Sequence, residues 1–119
     1  MVNERVSELK TVDKEFEKRI RDKRYLTKVM EPAEAAKFIN PNMTLGVSGF
    51  TIAGYPKVIA GELAKRADNG EKLDLTVYSG ASLGDEFDGE LARKGALKKR
   101  IPYQTNKDLR NAINDGKVG

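Results

Sequence analysis

The chain has 119 residues, of which 39% are hydrophobic and 34% charged, and this length corresponds to one domain or part of one. Its 22 basic and 18 acidic residues are interleaved, whereas nucleic-acid binding usually shows one concentrated basic face. The absence of Cys and His excludes disulfides, thiol nucleophiles and Ser–His–Asp triads, and would leave only carboxylates for a metal. No apolar run approaches the ~20 residues of a membrane helix, and no secretory signal precedes the charged N-terminus, so we expect a cytoplasmic protein.

Residues 3–25 contain no Gly or Pro and predict one amphipathic helix. Its apolar positions recur at spacings of three and four residues, the period of one helix face. They are Val6, Leu9, Val12, Phe16 and Ile20. We expect this helix to pack on the body of the protein or on a partner subunit. We interpret residues 1–30 as a helical extension and residues 31–119 as the first part of the main domain.

A short second helix is predicted to begin at Pro32, because proline suits the first helical turn. We expect four residues on its buried side, namely Ala35, Ala36, Phe38 and Ile39. The sequence Asn40-Pro41-Asn42 then ends it in a turn.

Residues 43–67 predict a strand, a glycine-containing loop and a helix. Alternation over residues 43–48 indicates a buried strand, and Gly49 and Gly54 permit backbone conformations that other residues resist. Pro56 fits the first turn of a helix that the loop enters directly. The apolar positions of that helix are Ile59, Leu63 and Ala67. The N–H groups at such a junction suit an anion, a carbonyl oxygen or a thioester oxygen.

A second strand is predicted where Leu73, Leu75 and Val77 alternate with polar residues. Two strands joined by a helix indicate a parallel βαβ unit, and ligands bind such sheets beyond the carboxyl ends of the strands. The loops at residues 48–55 and 79–84 both occupy such ends. We therefore expect an α/β fold with a partial parallel sheet and flanking helices.

The last third of the chain predicts two more helices. One covers about residues 88–97, with Leu91 and Leu97 inward, and the other has Thr105 as its N-cap. The apolar face of the last helix consists of Leu109, Ala112 and Ile113. Residues 101–103 indicate a short extended segment between the two. We expect the first and last helices of the chain to expose their apolar faces.

Two charged clusters admit both functional and structural interpretations. The basic cluster, Lys94 with Lys98-Lys99-Arg100, is most simply a solvated surface patch. Asp85, Glu86 and Asp88 could do acid–base chemistry if one pKa were raised. Their polar turn favours helix capping and solvation instead.

The loop after the first strand departs from three common motifs. Gly49 and Gly54 have the glycine spacing of a P-loop, but Tyr55 stands where that motif needs Lys. The dinucleotide pattern G-x-G-x-x-G is absent. Gly46-Val47-Ser48 approaches the nucleophile elbow G-x-S-x-G, but Phe50 occupies its last position.

The loop does resemble the signature of class I coenzyme A transferases, which is an apolar strand, Gly-Gly-Phe, three residues, Gly, one residue and Pro. Ser48-Gly49-Phe50 and Gly54-Tyr55-Pro56 match it, with Ser48 replacing the first glycine. This Ser and the run Gly-Tyr-Pro-Lys are similar to the acetyl-CoA hydrolase/transferase, or succinate:acetate CoA-transferase, branch. Further segments resemble the N-terminal region of that branch, namely residues 76–82, 88–92, 100–106 and 109–116.

The resemblance implies the N-terminal part of an acyl-CoA:carboxylate CoA-transferase. In that family a Glu carboxylate attacks the thioester and becomes a glutamyl-CoA thioester. That Glu lies in the C-terminal half of family members, so we assign no catalytic residue and no metal ligand here and expect this chain alone to be inactive. CoA and acyl-CoA are the implied substrates, with succinate or acetate as carboxylate and no covalently bound cofactor. The implied partners are the rest of the enzyme and, at full length, a second copy.

The resemblance also implies substrate-binding residues in both glycine-containing loops. Those expected beside the acyl or pantetheine group are Ser48, Gly49, Phe50 and Gly54. Those expected beside the carboxylate or the catalytic Glu are Gly80, Ala81 and Ser82. The structural alternative for the glycines is a tight turn without a ligand, and for the Ser82 hydroxyl it is a cap.

Three other functions stay open at this point. Water could replace the acceptor carboxylate, which would make the enzyme an acyl-CoA hydrolase. The chain could be a non-catalytic CoA-binding or assembly module, with part of the basic cluster meeting the phosphates of CoA. Nucleic-acid binding through residues 94–100 would show steeply salt-dependent affinity.

Overall fold

The computed structural model describes residues 14–119, which form an α/β unit with a parallel sheet of order β1-β2-β3. The strands are β1 (Thr44–Val47), β2 (Leu75–Ser79) and β3 (Leu97–Ile101). The helices are α1 (Lys14–Arg19), α2 (Pro32–Ala36), α3 (Ile59–Asp68), α4 (Glu90–Arg93) and α5 (Lys107–Asn114). A 3₁₀ helix (Lys23–Lys28) follows α1, and a π-helical turn (Asp85–Gly89) leads into α4. The predicted α/β class with flanking helices is confirmed.

The first two strands form the predicted parallel unit, since β1 and β2 pair in parallel and α3 connects them. β1 alternates in burial as predicted, but it is half-buried because it is the edge strand of the described sheet. β2 is the central strand, and its Leu75 and Val77 are fully buried. The predicted strand at this position is therefore confirmed, although Leu73 precedes it.

The third strand replaces the end of a predicted helix. α4 ends at Arg93, and Gly95 turns the chain with a φ of +66°. The prediction of a helix through Leu97 is thus wrong, because this residue begins β3. A register shift lies between β2 and β3, since Leu75 pairs with Leu97 while the next residue pairs with Lys99.

One hydrophobic core covers a single face of the sheet in the described residues. Leu75 and Val77 pack there with Leu63 of α3 and Leu109 of α5. The opposite face exposes Tyr78, half of whose surface (51%) is accessible to water. The predicted exposure of the last helix is wrong, because its apolar face lies inside this core.

The N-terminal helix is shorter than its sequence pattern predicts. Within the described residues it ends at Arg19, and the Lys23 ammonium donates to the carbonyl oxygens of Glu17 (2.6 Å) and Ile20 (2.7 Å). Those bonds satisfy carbonyls that a helix end leaves free. The single helix predicted over residues 3–25 is therefore wrong in its described part, and residues 3–13 lie outside the described range.

The second helix begins at Pro32 as predicted and ends at Ala36. Arg66 of α3 donates to the carbonyl oxygens of Ala36 and Ile39, both at 2.8 Å, and so closes its C-terminus. The prediction that Phe38 is buried is wrong, since 70% of its surface is exposed.

The last helix, α5, has Asn106 as its N-cap, because the Asn106 side chain accepts from the Leu109 N–H at 3.0 Å. The predicted cap, Thr105, is one residue too early. Gly119 donates to the Lys98 carbonyl (2.8 Å) and accepts from the Arg100 N–H (3.0 Å), as in parallel strand pairing beside β3. No helix in residues 14–119 is long and apolar enough to cross a membrane.

Candidate functional site

Two glycine-containing loops meet beyond the carboxyl ends of β1 and β2. We name residues 48–55 the first glycine loop and residues 79–84 the second glycine loop. The Thr51 N–H donates to the Ser82 carbonyl oxygen at 2.7 Å, and Thr51 pairs with Leu83 in an isolated parallel bridge. The predicted convergence of the loops is confirmed, and it occurs where open α/β sheets bind ligands.

The tip of the first glycine loop is a tight turn that points apolar side chains into water. Phe50 and Ala53 exchange both backbone hydrogen bonds, at 2.9 and 3.0 Å. Thr51 lies between them with a φ of +50°, which is unfavourable for a β-branched residue. Phe50 and Ile52 are 67% and 81% exposed. Strained backbone and exposed apolar groups together are more typical of a binding site than of a passive turn.

Gly49 and Gly54 both have backbone conformations that favour glycine, with φ of +142° and +74°. A methyl group on Gly49 would lie 2.6 Å from Leu83 Cδ2 and 2.8 Å from Tyr55 Cβ. Gly49 is therefore required for the close packing of the two loops. The Ser48 hydroxyl donates to the Gly54 carbonyl oxygen at 3.2 Å and closes the base of the first glycine loop.

Of the three substrate-binding residues predicted in the second glycine loop, one is exposed and two are buried. Gly80 is exposed, whereas Ala81 and Ser82 are buried. The Ser82 hydroxyl lies 3.0 Å from the Thr105 hydroxyl, just before α5. This contact ties the second glycine loop to the last helix.

Tyr55 anchors the first glycine loop beneath the second, a role that the sequence analysis missed. Its ring is buried and its hydroxyl donates to Glu86 at 3.2 Å. A methyl group on Gly84 would lie 2.8 Å from Tyr55 Cζ, so the ring fits only against a glycine. The signal in the sequence was a lone aromatic residue after a glycine, which is weak without the second loop beside it.

Lys57 contacts both Tyr55 and Glu86 and is partly exposed to solvent. Its ammonium nitrogen lies 3.3 Å from Glu86 Oε2 and 3.7 Å from the centroid of the Tyr55 ring, a cation–π geometry. The Tyr55 side chain, and after it the Glu86 carboxylate, raise the pKa of Lys57 above its ordinary value. Lys57 is thus a cation at neutral pH next to the first glycine loop.

The helix after the first glycine loop begins later than predicted. Its first residue is Ile59, preceded by Val58 as a cap without a side-chain hydrogen bond. The expectations that Pro56 lies in the first helical turn and that the loop enters the helix directly are therefore wrong. The physical reason is Tyr55, whose burial turns the chain before the helix begins.

Asp85 of the acidic cluster contacts Asn106, the residue just before α5, and two partners hold it ionised. Arg93 donates to both of its oxygens, at 2.8 and 3.0 Å, and the Asn106 amide donates at 2.9 Å. These contacts, the Arg93 pair first, lower the pKa of Asp85 from 3.8 to about 2. Asp85 is therefore unsuited to donate a proton near neutral pH.

Asp88 and Arg100 were both predicted to be solvated, and both predictions are wrong. Their side chains are fully buried and form an ion pair with Arg100 Nε 2.8 Å from Asp88 Oδ1. Arg100 reaches the interior because the register shift beside β3 places it on the same face as Leu97. Strict alternation from Leu97 would have placed it in water.

The geometry defines the class of protein: a parallel α/β unit whose two glycine-containing loops meet at the strand ends, the place where open α/β sheets bind ligands. No group of three or more acidic side chains within residues 14–119 is placed to hold a metal ion. The family model of the acetyl-CoA hydrolase/transferase N-terminal domain matches residues 13–119. The chain therefore belongs to the acetyl-CoA hydrolase/transferase family, as its resemblance implied.

Curated relatives agree with this assignment. The chain is 44% identical over 103 residues to the succinyl-CoA:acetate CoA-transferase of Clostridium kluyveri, covering 86% of this chain and 19% of that protein. It is 37% identical over 93 residues to the propanoyl-CoA:succinate CoA transferase of Escherichia coli, covering 75% and 19%. It is 35% identical over 111 residues to an acetyl-CoA hydrolase of Candida glabrata, covering 91% and 21%. The chain thus spans about a fifth of the length of these relatives.

Proposed function

We propose that this chain is the N-terminal part of an enzyme that transfers CoA between an acyl-CoA and a carboxylate. The observation that carries the proposal is the meeting of the two glycine loops at the strand ends of a domain from this family. The name of one relative pairs succinyl-CoA with acetate, and the name of another pairs propanoyl-CoA with succinate, which supports short acyl groups. We propose residues 1–30 as an extension and residues 31–119 as the first part of the catalytic domain.

The proposed reaction passes through a carboxylate of the enzyme. A Glu outside this chain attacks the thioester carbonyl, giving a mixed anhydride and releasing the CoA thiolate. The thiolate then attacks the glutamyl carbonyl, which forms glutamyl-CoA and releases the acyl group as its carboxylate. An acceptor carboxylate reverses these two steps and leaves as the new acyl-CoA. No catalytic residue is assigned within this chain.

The proposed contribution of this chain is to bind the substrate. Ser48, Gly49, Phe50 and Gly54 contact the acyl or pantetheine portion, with the exposed Phe50 ring as an apolar wall. Gly80, Ala81 and Ser82 shape the region beside the carboxylate, and since Ser82 is buried it acts by fixing the loop. CoA is a substrate, and no covalently bound cofactor takes part.

The partner we propose is further polypeptide of the same enzyme, with a homodimer at full length in the cytoplasm. The face of the sheet that exposes Tyr78 supports this proposal. Parallel sheets are ordinarily covered on both faces, and the described residues cover only one.

The experiment that tests the function is product analysis of the natural polypeptide containing this chain. It is incubated with acetyl-CoA alone, with acetyl-CoA and succinate, and with succinyl-CoA and acetate. We expect the second mixture to yield succinyl-CoA and the third acetyl-CoA, each in equal amount to the thioester consumed. No consumption of thioester in any mixture would contradict the proposal.

Hydrolysis is the second candidate, because several relatives are named acetyl-CoA hydrolases. It predicts free CoA and acetate at the same rate with and without succinate. The same three mixtures therefore separate the two activities.

A further inference from the structure

The buried ion pair between Asp88 and Arg100 lies directly beneath the second glycine loop. Both side chains are fully buried, and the pair is two-pronged: Arg100 Nε donates to Asp88 Oδ1 at 2.8 Å and Arg100 Nη2 to Oδ2 at 3.2 Å. Such forked pairs fix the orientation of both partners. The proposed chemistry uses neither residue.

The pair contacts the second glycine loop at both of its ends. The Leu83 N–H donates to Asp88 Oδ2 at 3.0 Å, and Arg100 Nη2 donates to the Ser79 hydroxyl at 2.9 Å. Arg100 Nη1 also donates to the carbonyl oxygen of Ile101. Ser79 and Leu83 flank residues 80–82, so the pair fixes both ends of the predicted substrate-contacting segment.

The same contacts extend to the first glycine loop. Leu83 pairs with Thr51 and would collide with any side chain at Gly49. A displacement of Leu83 would therefore move both loops. The ion pair lies at the base of the whole candidate site.

Stability is a poor explanation for two buried charges. Removing charges from water carries a large desolvation penalty, and well-packed apolar replacements of both partners are often neutral or stabilising. We propose that Asp88 and Arg100 are positioning residues that hold the second glycine loop in its substrate-binding conformation. This inference rests on the proposed CoA-transfer function.

The test uses the natural polypeptide with both charges replaced, Asp88→Leu with Arg100→Met, which roughly conserves side-chain volume. The matched control is Glu62→Leu with Lys65→Met, which removes a 3.1 Å ion pair on α3. kcat/KM for acetyl-CoA is measured at a temperature where circular dichroism shows every variant fully folded. We expect at least a tenfold loss for the Asp88/Arg100 variant and less than twofold for the control. A fully folded Asp88/Arg100 variant within twofold of wild type would overturn the proposal.

If the Asp88→Leu/Arg100→Met variant does not fold, a second variant tests the positioning role. Ser79→Ala leaves both charges in place and removes the hydroxyl that accepts from Arg100 Nη2 and donates to the Ala81 carbonyl oxygen within the loop. We expect a severalfold lower kcat/KM at an unchanged melting temperature. Wild-type kcat/KM in folded Ser79→Ala would overturn the proposal.

Hydrogen exchange separates failure of this inference from failure of the proposed function. If the wild-type polypeptide transfers no CoA, exchange is followed in a peptide covering residues 79–84 and in one covering α3. In the Asp88/Arg100 variant and in Ser79→Ala, we expect severalfold faster exchange in the peptide covering residues 79–84. We expect no change in the peptide covering α3. Unchanged exchange at residues 79–84 would overturn the positioning role whatever the enzyme does.

Discussion

Phe50 is the residue that most directly links the observed geometry to ligand binding, because its ring lies in water at a strained turn. If the ring covers the acyl or pantetheine group, Phe50→Ala removes an apolar contact of about 1.5–3 kcal/mol. We expect KM for acetyl-CoA to rise about tenfold or more, and the melting temperature to stay near that of wild type. Steady-state kinetics and a melting curve on the natural polypeptide check both.

The matched control is Phe38→Ala, which removes an equally exposed ring that lies after α2, outside both glycine loops. It should leave KM within twofold of wild type. Equal effects of the two substitutions would show that Phe50 acts through general surface hydrophobicity and not through a site.

Asp85 offers a test of the electrostatics at the edge of the site. Its pKa is lowered to about 2, chiefly by Arg93 and then by Asn106. Because this pKa is depressed on folding, the stability it contributes is complete above about pH 4 and is lost as the pH falls toward 2. A carbon-13 titration of the Asp85 carboxyl should give a midpoint near 2.

The corresponding control is Arg93→Gln, which removes the strongest partner and should move the midpoint toward the ordinary 3.8. A wild-type midpoint already near 3.8 would show that the contact with Arg93 is not formed in solution.

At the scale of elements, the sequence correctly predicts the helices and strands whose hydrophobic period and terminal residues indicate the same structure. β1, β2 and α3 follow alternation or helical spacing closely. Pro32 correctly begins α2. These features are local, so a single sequence contains them.

The elements that the sequence mispredicts are governed by contacts distant along the chain. β3 carries three consecutive basic residues, so no alternation reveals it, and the register shift against β2 then buries Arg100. α1 ends without Gly or Pro because the Lys23 side chain binds its last carbonyls. The start of α3 is delayed by the anchoring of Tyr55, which depends on Gly84 nearly thirty residues later.

The N-cap of α5 gives a prediction at this scale, since the structure assigns it to Asn106 and not to Thr105. Asn106→Ala should lower the free energy of unfolding by about 1 kcal/mol. Asn106→Ser should be more stable than Asn106→Ala, because a hydroxyl also accepts from the Leu109 N–H while both variants lose the amide contact with Asp85. Chemical denaturation of the two variants measures the difference, and equal stabilities would contradict the cap assignment.

At the scale of the whole molecule, the candidate site consists of segments that are distant in the sequence and that the fold brings together. The loop that carries the family signature was visible in the sequence, as was its convergence with the second glycine loop. The residues that hold the loops in place, Tyr55, Asp88 and Arg100, were not recognisable in the sequence, because their partners come close only in the folded structure. Sequence therefore predicted where the two loops meet better than which residues hold them in place.

The most direct test of the central claim is the intact mass of the natural polypeptide before and after mixing with acetyl-CoA without an acceptor. A glutamyl-CoA thioester adds the mass of CoA less one water, and acetate is released. We predict that this adduct forms and disappears when succinate is added, with succinyl-CoA as the product. An unchanged protein mass under conditions that consume acetyl-CoA would contradict a covalent CoA transfer and favour direct hydrolysis.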